Sequence, residues 1–336
     1  MGREGHAQVG PLEGAQTQTV PTPSVTAVVL TYNGRYLLEV MLPSLAVQRA
    51  PAREIVVVDN GSSDDTLTWL AERWPQVRAV ALPRNVGVTA ALNVCLRAGD
   101  GEVIALFNND MELDPDCLGE LARALAEHPG AGVAAAKLID FHDRRVLDGA
   151  GDVYEWSGEA NRRGQGVLDE GQFELPRPVF AACGGAAAYR RSAIDLVGEF
   201  DEQLFAIYED VDWSFRAQLL GLGCRYVPSA VAYHMGSATL GAGLNDFTLY
   251  QNWRNGIWVV AKNYPLSALL RHGHRFVGAQ AHHLVWAIQE RRVGVFARAW
   301  RDALRGMPAI LRKRRAVQRS RTVGLRELER VIGADA

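Results

Sequence analysis

Apolar and polar positions alternate in blocks along the first third of the chain. Ser24–Gly34, SVTAVVLTYNG, is a β-branched apolar run that ends in Asn-Gly, the pattern of a buried strand and a turn. Leu37, Leu38, Met41, Leu42 and Leu45 then recur at helical spacing, and EIVVVDNGSSDDT gives a second strand, Ile55–Val58, ending at Asp59 in a polar loop. Thr66–Trp74 predicts a helix and Val77–Leu82 a third strand. RNVGVTAALNVCLRAG follows as a loop and a helix closing at Gly99, and Glu102–Asp110 as a fourth strand. Strands and helices in alternation, with strands apolar throughout, predict an α/β fold whose mainly parallel sheet is covered on both faces. Ligands of such sheets bind beyond the carboxyl ends of the strands. Those ends are Thr31-Tyr32-Asn33, Asp59-Asn60, the Arg84–Gly87 loop and Asn108-Asn109-Asp110, and every one is polar.

Past residue 130 the pattern changes. GVAAAKLI predicts another strand, and Asp140–Pro178 is a Gly- and charge-rich excursion with no readable period. Beyond Gly243 the periodicity is mostly helical. Residues 1–23 are polar and rich in Gly, Gln, Thr and Pro, which predicts a disordered leader.

Length and composition refine this picture. With 336 residues, 48% hydrophobic and 22% charged, the chain reads as a soluble globular protein of two domains, or one large domain and an appendage. A net charge of −2 argues against a nucleic-acid binder. The average hides a basic stretch, 291–321, where eleven Arg and Lys face only Asp302 and where Val293, Phe296, Trp300, Leu304, Met307 and Leu311 keep helical spacing. That stretch is either a membrane-surface helix or a helix packed on the rest of the chain with a solvated basic face. No apolar run approaches the roughly 18–20 residues that span a bilayer. Four scattered cysteines read as reduced, intracellular thiols.

Three segments carry candidate chemistry. FNND ends the fourth strand, and strand alternation points Asn108 and Asp110 to one side, suited to a hard cation that completes its shell with phosphate oxygens. YEDVDWSFR, Tyr208–Arg216, crowds Glu209, Asp210 and Asp212 at the start of an amphipathic helix with Val211, Phe215 and Leu219 at its apolar spacing. The helix dipole there favours ionised carboxylates, which serve either as caps or as a general base. His234 stands alone after a short strand, as a structural histidine or a ligand. RNVGVTAALN lacks the glycine spacing of a dinucleotide fingerprint or a P-loop, although a helix start near Thr89 favours an anion. Asp59, Asn60, Ser62 and Ser63 either address a nucleoside or cap the next helix.

In order along the chain, VVLTYNG, EIVVVDNGSSDDT, RNVGVTAALN, FNNDMEL, CGGAAAYRR, YEDVDWSFR, YHMGS and YQNWRN resemble family 2 of the glycosyltransferases, inverting enzymes with a GT-A fold, and within it the rhamnosyltransferase-like branch. The resemblance implies a catalytic domain over 24–240, with a nucleotide-sugar half at about 24–115 and an acceptor half at about 116–240, followed by a helical basic region at 241–336. It implies that Thr31, Tyr32, Asn33, Asp59, Asn60, Arg84, Asn85, Gly87, Asn93, Asn108, Asn109 and Arg254 bind a UDP- or dTDP-sugar. Asp110 and His234 would hold Mg²⁺ or Mn²⁺, Asp210 with Glu209 would supply the base, and Gly184, Gly185 and Trp213 would meet a glycan or lipid-linked acceptor. The expected product is cell-surface polysaccharide, made in the cytoplasm or at the inner face of the membrane. Asn108 replaces the first Asp of the family's D-x-D element, which implies a weaker cation site. The rival readings are a nucleotide-sugar-binding protein without catalysis and a nucleotidyltransferase. The second is opposed by a chain with only Lys137, Lys262 and Lys313.

Overall fold

A computed structural model describes residues 21–236 and 245–333. The expected leader lies outside the described residues except at 21–23. The first third builds as the apolar pattern dictates: β1 (Val25–Thr31), α1 (Arg35–Ala46), β2 (Glu54–Asp59), α2 (Thr66–Arg73), β3 (Arg78–Ala81), α3 (Val88–Arg97) and β4 (Val103–Asn108). Next come β5 (Met111–Leu113), α4 (Cys117–Glu127) and β6 (Ala131–Asp140). The excursion that sequence leaves unread folds into four short strands, β7 (Leu147–Gly149), β8 (Asp152–Tyr154), β9 (Ala160–Arg162) and β10 (Arg177–Val179). The chain continues through β11 (Ala186–Arg190), α5 (Arg191–Val197), α6 (Glu209–Leu219) and β12 (Gly223–His234), and ends in α7 (Asp246–Asn263), α8 (Leu266–Gln289), α9 (Val293–Ser320) and α10 (Leu325–Leu328).

Ten strands form one sheet in the order β10-β12-β6-β11-β4-β1-β2-β3, with β5 and β7 on its flank, while β8 and β9 pair as a separate hairpin. The β3-β2-β1-β4 half is parallel throughout. β11 is reversed, antiparallel to both β4 and β6. Its start therefore lies beside the end of β4, which fixes the position of the glycines that precede it.

The strands are apolar on both faces because both are covered. Val25, Ala27 and Val29 pack with Leu38, Met41 and Leu42 of α1 and Leu121 of α4 on one side. Val28, Val56 and Ile104 pack with Leu92 and Leu96 of α3 and Trp213 of α6 on the other. Helix α6 is covered nearly all round, from Val211 through Leu219, so it is a core helix where its spacing predicts an amphipathic one. In the C-terminal region, Phe296, Ala299, Ala303 and Ile310 of α9 are buried, against Trp253, Ile257 and Trp258 of α7 among others. Of the two readings of 291–321, the geometry is that of a packed helix with an exposed basic face. Among the described residues no helix is long and apolar enough to cross a membrane.

Candidate active site

The carboxyl ends of β1, β2 and β4 and the loop after β3 are tied together by their own polar side chains. The Asn33 N–H donates to Ser62 Oγ at 2.8 Å, and Asn33 Oδ1 accepts from the Ser63 N–H at 2.8 Å. Asn109 Nδ2 donates to Thr31 Oγ1 at 2.8 Å. Asn60 accepts from the Val86 N–H at 3.0 Å and donates to Asn85 Oδ1 at 3.2 Å. Gly87 is left-handed at φ 90°, and a Cβ there would come within 2.6 Å of the Phe205 ring, so only glycine fits. Asp59 is fully buried and accepts from the Ser62 N–H and hydroxyl, which closes the turn after β2 and does not cap α2. Tyr32 and Arg84 are exposed on the same rim.

Two glycines join this rim to the acids of α6. The Gly184 N–H donates to Asp210 Oδ2 at 2.9 Å, and the Gly185 C=O accepts from the Asn108 N–H at 2.9 Å. A Cβ on Gly184 would lie 3.4 Å from Asp210 Oδ2, and one on Gly185 the same distance from Asn108 Nδ2. Side-chain-free backbone thus lets Asp210 and the Asn108 tip stand on either side of adjacent residues.

The approach to α6 is strained. Phe205, Ile207 and Tyr208 all hold left-handed φ, at 68°, 66° and 74°, a conformation disfavoured for non-glycine residues and worst for β-branched Ile. Asn255, fully buried on α7, holds this segment by donating toward the carbonyls of Leu204, Ala206 and Ile207 at 3.1, 2.9 and 2.7 Å.

Around Asp210 gather more acids than cations. His234 lies 3.5 Å from Asp110 through Nε2 and 2.7 Å from Asp148 through Nδ1, and Asp148 in turn pairs with Arg162. Asp152 and Asp210 share the same neighbourhood. Among the described residues, then, Asp148, Asp152 and Asp210 share the charge of Arg162, and Asp110 and Asp148 share His234. Burial raises Asp210 despite its bonds to the Gly184 and Val211 N–H groups. Burial, then the Asp210 charge, raise Glu209. At both positions removal from water outweighs the dipole and raises the proton affinity of the carboxylate. Burial likewise pushes Asp152 up to about 8. Burial would lower His234, but Asp110 and Asp148 outweigh it and raise the imidazole to about 9.

The residues present fit a divalent cation that brings its own oxygen ligands. Asp110 Oδ1 is buried without a partner, and His234 Nε2 stands beside the same carboxylate. Among the described residues no three His, Cys, Asp or Glu side chains converge on one point, so protein supplies two donors and the remaining positions are left to phosphate or water.

Three expected site residues lie elsewhere. Trp213 is core, fully buried, its indole donating to the Gly198 carbonyl at 2.8 Å. Asn93 is buried and its amide is used on the Phe200 backbone in both directions. Arg254 is held within α7 and on the Leu204 carbonyl, stacked over Trp258 at 4.6 Å. Sequence reasoning missed Asp148, Asp152 and Arg162, which stand in the unread excursion. Asn255 belonged to a quoted motif without a role, and its position at helical spacing among apolar residues was the available signal.

The family model for glycosyl transferase family 2 matches residues 26–198, a stretch that stops before α6. An N-acetylglucosaminyl-diphospho-decaprenol L-rhamnosyltransferase of Mycobacterium tuberculosis is 30% identical over 235 residues, 63% of this chain and 76% of that protein. An N-acetylglucosaminyltransferase of Mesorhizobium japonicum is 29% identical over 237 residues, 67% of this chain and 54% of that one. The chain spans only 26% of a longer Sinorhizobium fredii relative, which is 30% identical over 246 residues. Among solved structures, a mannosyltransferase of Pyrobaculum calidifontis in complex with GDP-Man and Mn²⁺ superposes with a TM-score of 0.54 at 19% identity, over 93% of this chain and 89% of that one. The likeness shows the fold, which is GT-A.

Proposed function

This chain belongs to glycosyl transferase family 2, and from that premise we propose that it transfers a sugar, with inversion, from a nucleotide-sugar donor to a hydroxyl of a lipid-linked glycan. The observation that carries the reading is the Gly184-Gly185 bridge between Asp210 and Asn108. The acceptor oxygen forms its bond to the anomeric carbon as the bond to the diphosphate breaks, and Asp210 takes the hydroxyl proton. A carboxylate whose proton affinity is raised by burial is better matched to that task than an exposed one. Thr31, Tyr32, Asn33, Asn60, Arg84, Asn85, Gly87, Asn108 and Asn109 line the donor side of the rim, in the half at about 24–115. Asp110 and His234 would hold a divalent cation, which supplies charge neutralisation for the leaving diphosphate.

The M. tuberculosis relative supports rhamnose as the sugar, a diphospho-polyprenol as the acceptor carrier, and polysaccharide biosynthesis as the setting. The donor proposed is a UDP- or dTDP-sugar. A bilayer contact at the inner face of the cell membrane is proposed for the basic stretch 291–321. Thermal shifts with UDP-, dTDP- and GDP-sugars, with and without Mn²⁺, followed by transfer to a polyprenyl-diphosphate glycan, test the reading. One nucleotide class should raise Tm, more so with Mn²⁺, and product should have the inverted anomeric configuration. Binding with no nucleotide release under any condition would favour the non-catalytic alternative.

A further inference from the structure

The backbone of His234 is fixed on three sides. Strand β12 sets the residue opposite Met111 of β5 and Asp140 of β6. Its carbonyl accepts from the Phe141 N–H at 2.9 Å, and the following N–H, of Met235, donates to the Asp110 carbonyl at 2.9 Å. Those bonds hold the residue beside Asp110, but none of them touches the ring. A half-turn of the imidazole exchanges each nitrogen with a carbon, and either nitrogen can carry the proton of the neutral ring. Only one of these arrangements leaves a lone pair at Nε2 on the Asp110 side.

Asp148 selects it. Its Oδ2 lies 2.7 Å from His234 Nδ1, while Nε2 stands 3.5 Å from Asp110 Oδ2. An ionised carboxylate only accepts, so Nδ1 keeps its proton and Nε2 is the nitrogen left for a cation. Asp148 is not a third ligand, because its oxygens are already used. Oδ2 also accepts from Arg162, and Oδ1 accepts from Gln165 Nε2 at 3.2 Å. The backbone builds this aim in. Leu138 of β6 lies opposite Gly149 of β7, and Ile139 opposite Leu147, one step on β6 against two on β7. Asp148 is therefore the extra residue of a bulge, a device that bends a strand and re-aims a side chain. The strand is fastened beside the bulge. The Val146 carbonyl accepts from the Asp140 N–H at 2.9 Å, and Leu147 donates to the Val167 carbonyl and accepts from the Gly166 N–H, each at 2.8 Å.

The other donor carries its own mark. Asp110 is only 5% exposed, and its Oδ1 is buried without a partner, an acceptor left for something the protein does not supply. We propose that Asp148 is a positioning residue of the cation site, turning His234 so that Nε2 and Asp110 address one divalent ion. The inference rests on the cation reading above and adds to it a residue that touches neither ion nor sugar. Two side chains are all that the protein offers the ion, so the ring is half of that set. Its aim should govern affinity accordingly.

The test is Mn²⁺ binding to the full chain, read from the electron paramagnetic resonance of the free ion, with UDP, dTDP and GDP each added in excess. Spin-echo detection of imidazole nitrogen coupled to the bound ion accompanies it. Wild type should bind Mn²⁺ with one of these nucleotides and show the nitrogen coupling. Asp148→Ala should weaken Mn²⁺ by about 10–100-fold and reduce the coupling, while it binds the same nucleotide without metal as wild type does. Asp148→Asn, whose amide oxygen still accepts from Nδ1, should restore most of that loss. Wild-type Mn²⁺ affinity in Asp148→Ala would overturn the proposal and leave the cation reading standing. Loss of Mn²⁺ and metal-free nucleotide binding together, in both variants, would also overturn it, since Asp148 would then only brace the fold. A wild type that binds no Mn²⁺, or a His234→Ala variant that binds it undiminished, would remove the cation reading at His234 and the proposal with it.

Discussion

Asp210 and Asp212 stand two residues apart at the start of α6 and live in opposite surroundings. Asp212, fully buried, receives Arg216 Nε at 3.0 Å, Lys262 Nζ at 2.8 Å and Asn263 Nδ2 at 2.8 Å. Lys262 also holds Asp201, which Lys313 reaches from α9. Burial would raise Asp212, but Lys262 and Arg216 outweigh it and lower it. Asp201 follows the same balance, down to about 2. On the other side Asp210, Glu209 and Asp152 are all raised, and Glu209 Oε2 and Asp152 Oδ1 have no partner. Among the described residues of the first network only Asn263 Oδ1 is left over. A buried carboxylate that owns its cation is scaffolding, whereas one crowded by other acids is available for chemistry.

The strongest way to break that contrast is Asp210→Asn. Transfer should fall by about three to four orders of magnitude, while donor affinity stays within about threefold and Tm does not drop. If donor binding and Tm collapse together with rate, Asp210 is scaffolding too. Next in size is Lys262→Met, which strips Asp201 and Asp212 of their shared cation. Denaturant unfolding should register a loss of about 3–5 kcal/mol, with kcat of the folded fraction nearly unchanged.

The two clusters should also titrate in opposite senses. Asp152, at about 8 when folded and about 3.9 when unfolded, holds a proton that unfolding releases between those values. Its contribution to stability is whole below pH 4 and is lost as pH rises to 8. Asp201, lowered to about 2, stabilises above pH 4 and loses that contribution as pH falls toward 2. Asp152→Asn should therefore match wild type at pH 4 and exceed it by about 5 kcal/mol at pH 8, read from melting curves. A constant difference across pH would remove Asp152 from the titrating set. The smallest effect belongs to Gly184→Ala, which sets a methyl 3.4 Å from Asp210 Oδ2. A drop of about fivefold in kcat with unchanged donor binding is expected, and no drop would show that the glycine is not needed for reach.

Much of the sheet was legible because β1, β2 and β4 are covered on both faces and leave unbroken apolar runs. The rim was legible because each run ends in polar residues. The rest depended on distance in sequence. Nothing near Asp212 announces that Lys262, fifty residues on, neutralises it. Trp213 beside three acids invited a site reading, but α6 is covered on nearly all sides and the indole goes inward. The β8–β9 hairpin has three residues in each strand, too few for a period to emerge, so Asp152 and Arg162 went unread.

The reversal of β11 carries a consequence for how the molecule is made. A chain leaving the ribosome from its amino end can lay down β1 to β4 early. The glycine bridge follows only when β11 has turned back against β4, and the Asn255 grip on the left-handed segment later still. A nascent chain arrested before α7 thus holds the strand-tip loops but lacks the clamp on its base. Order of synthesis by itself therefore delivers the strand-tip loops before the segment leading to Asp210 is held in place.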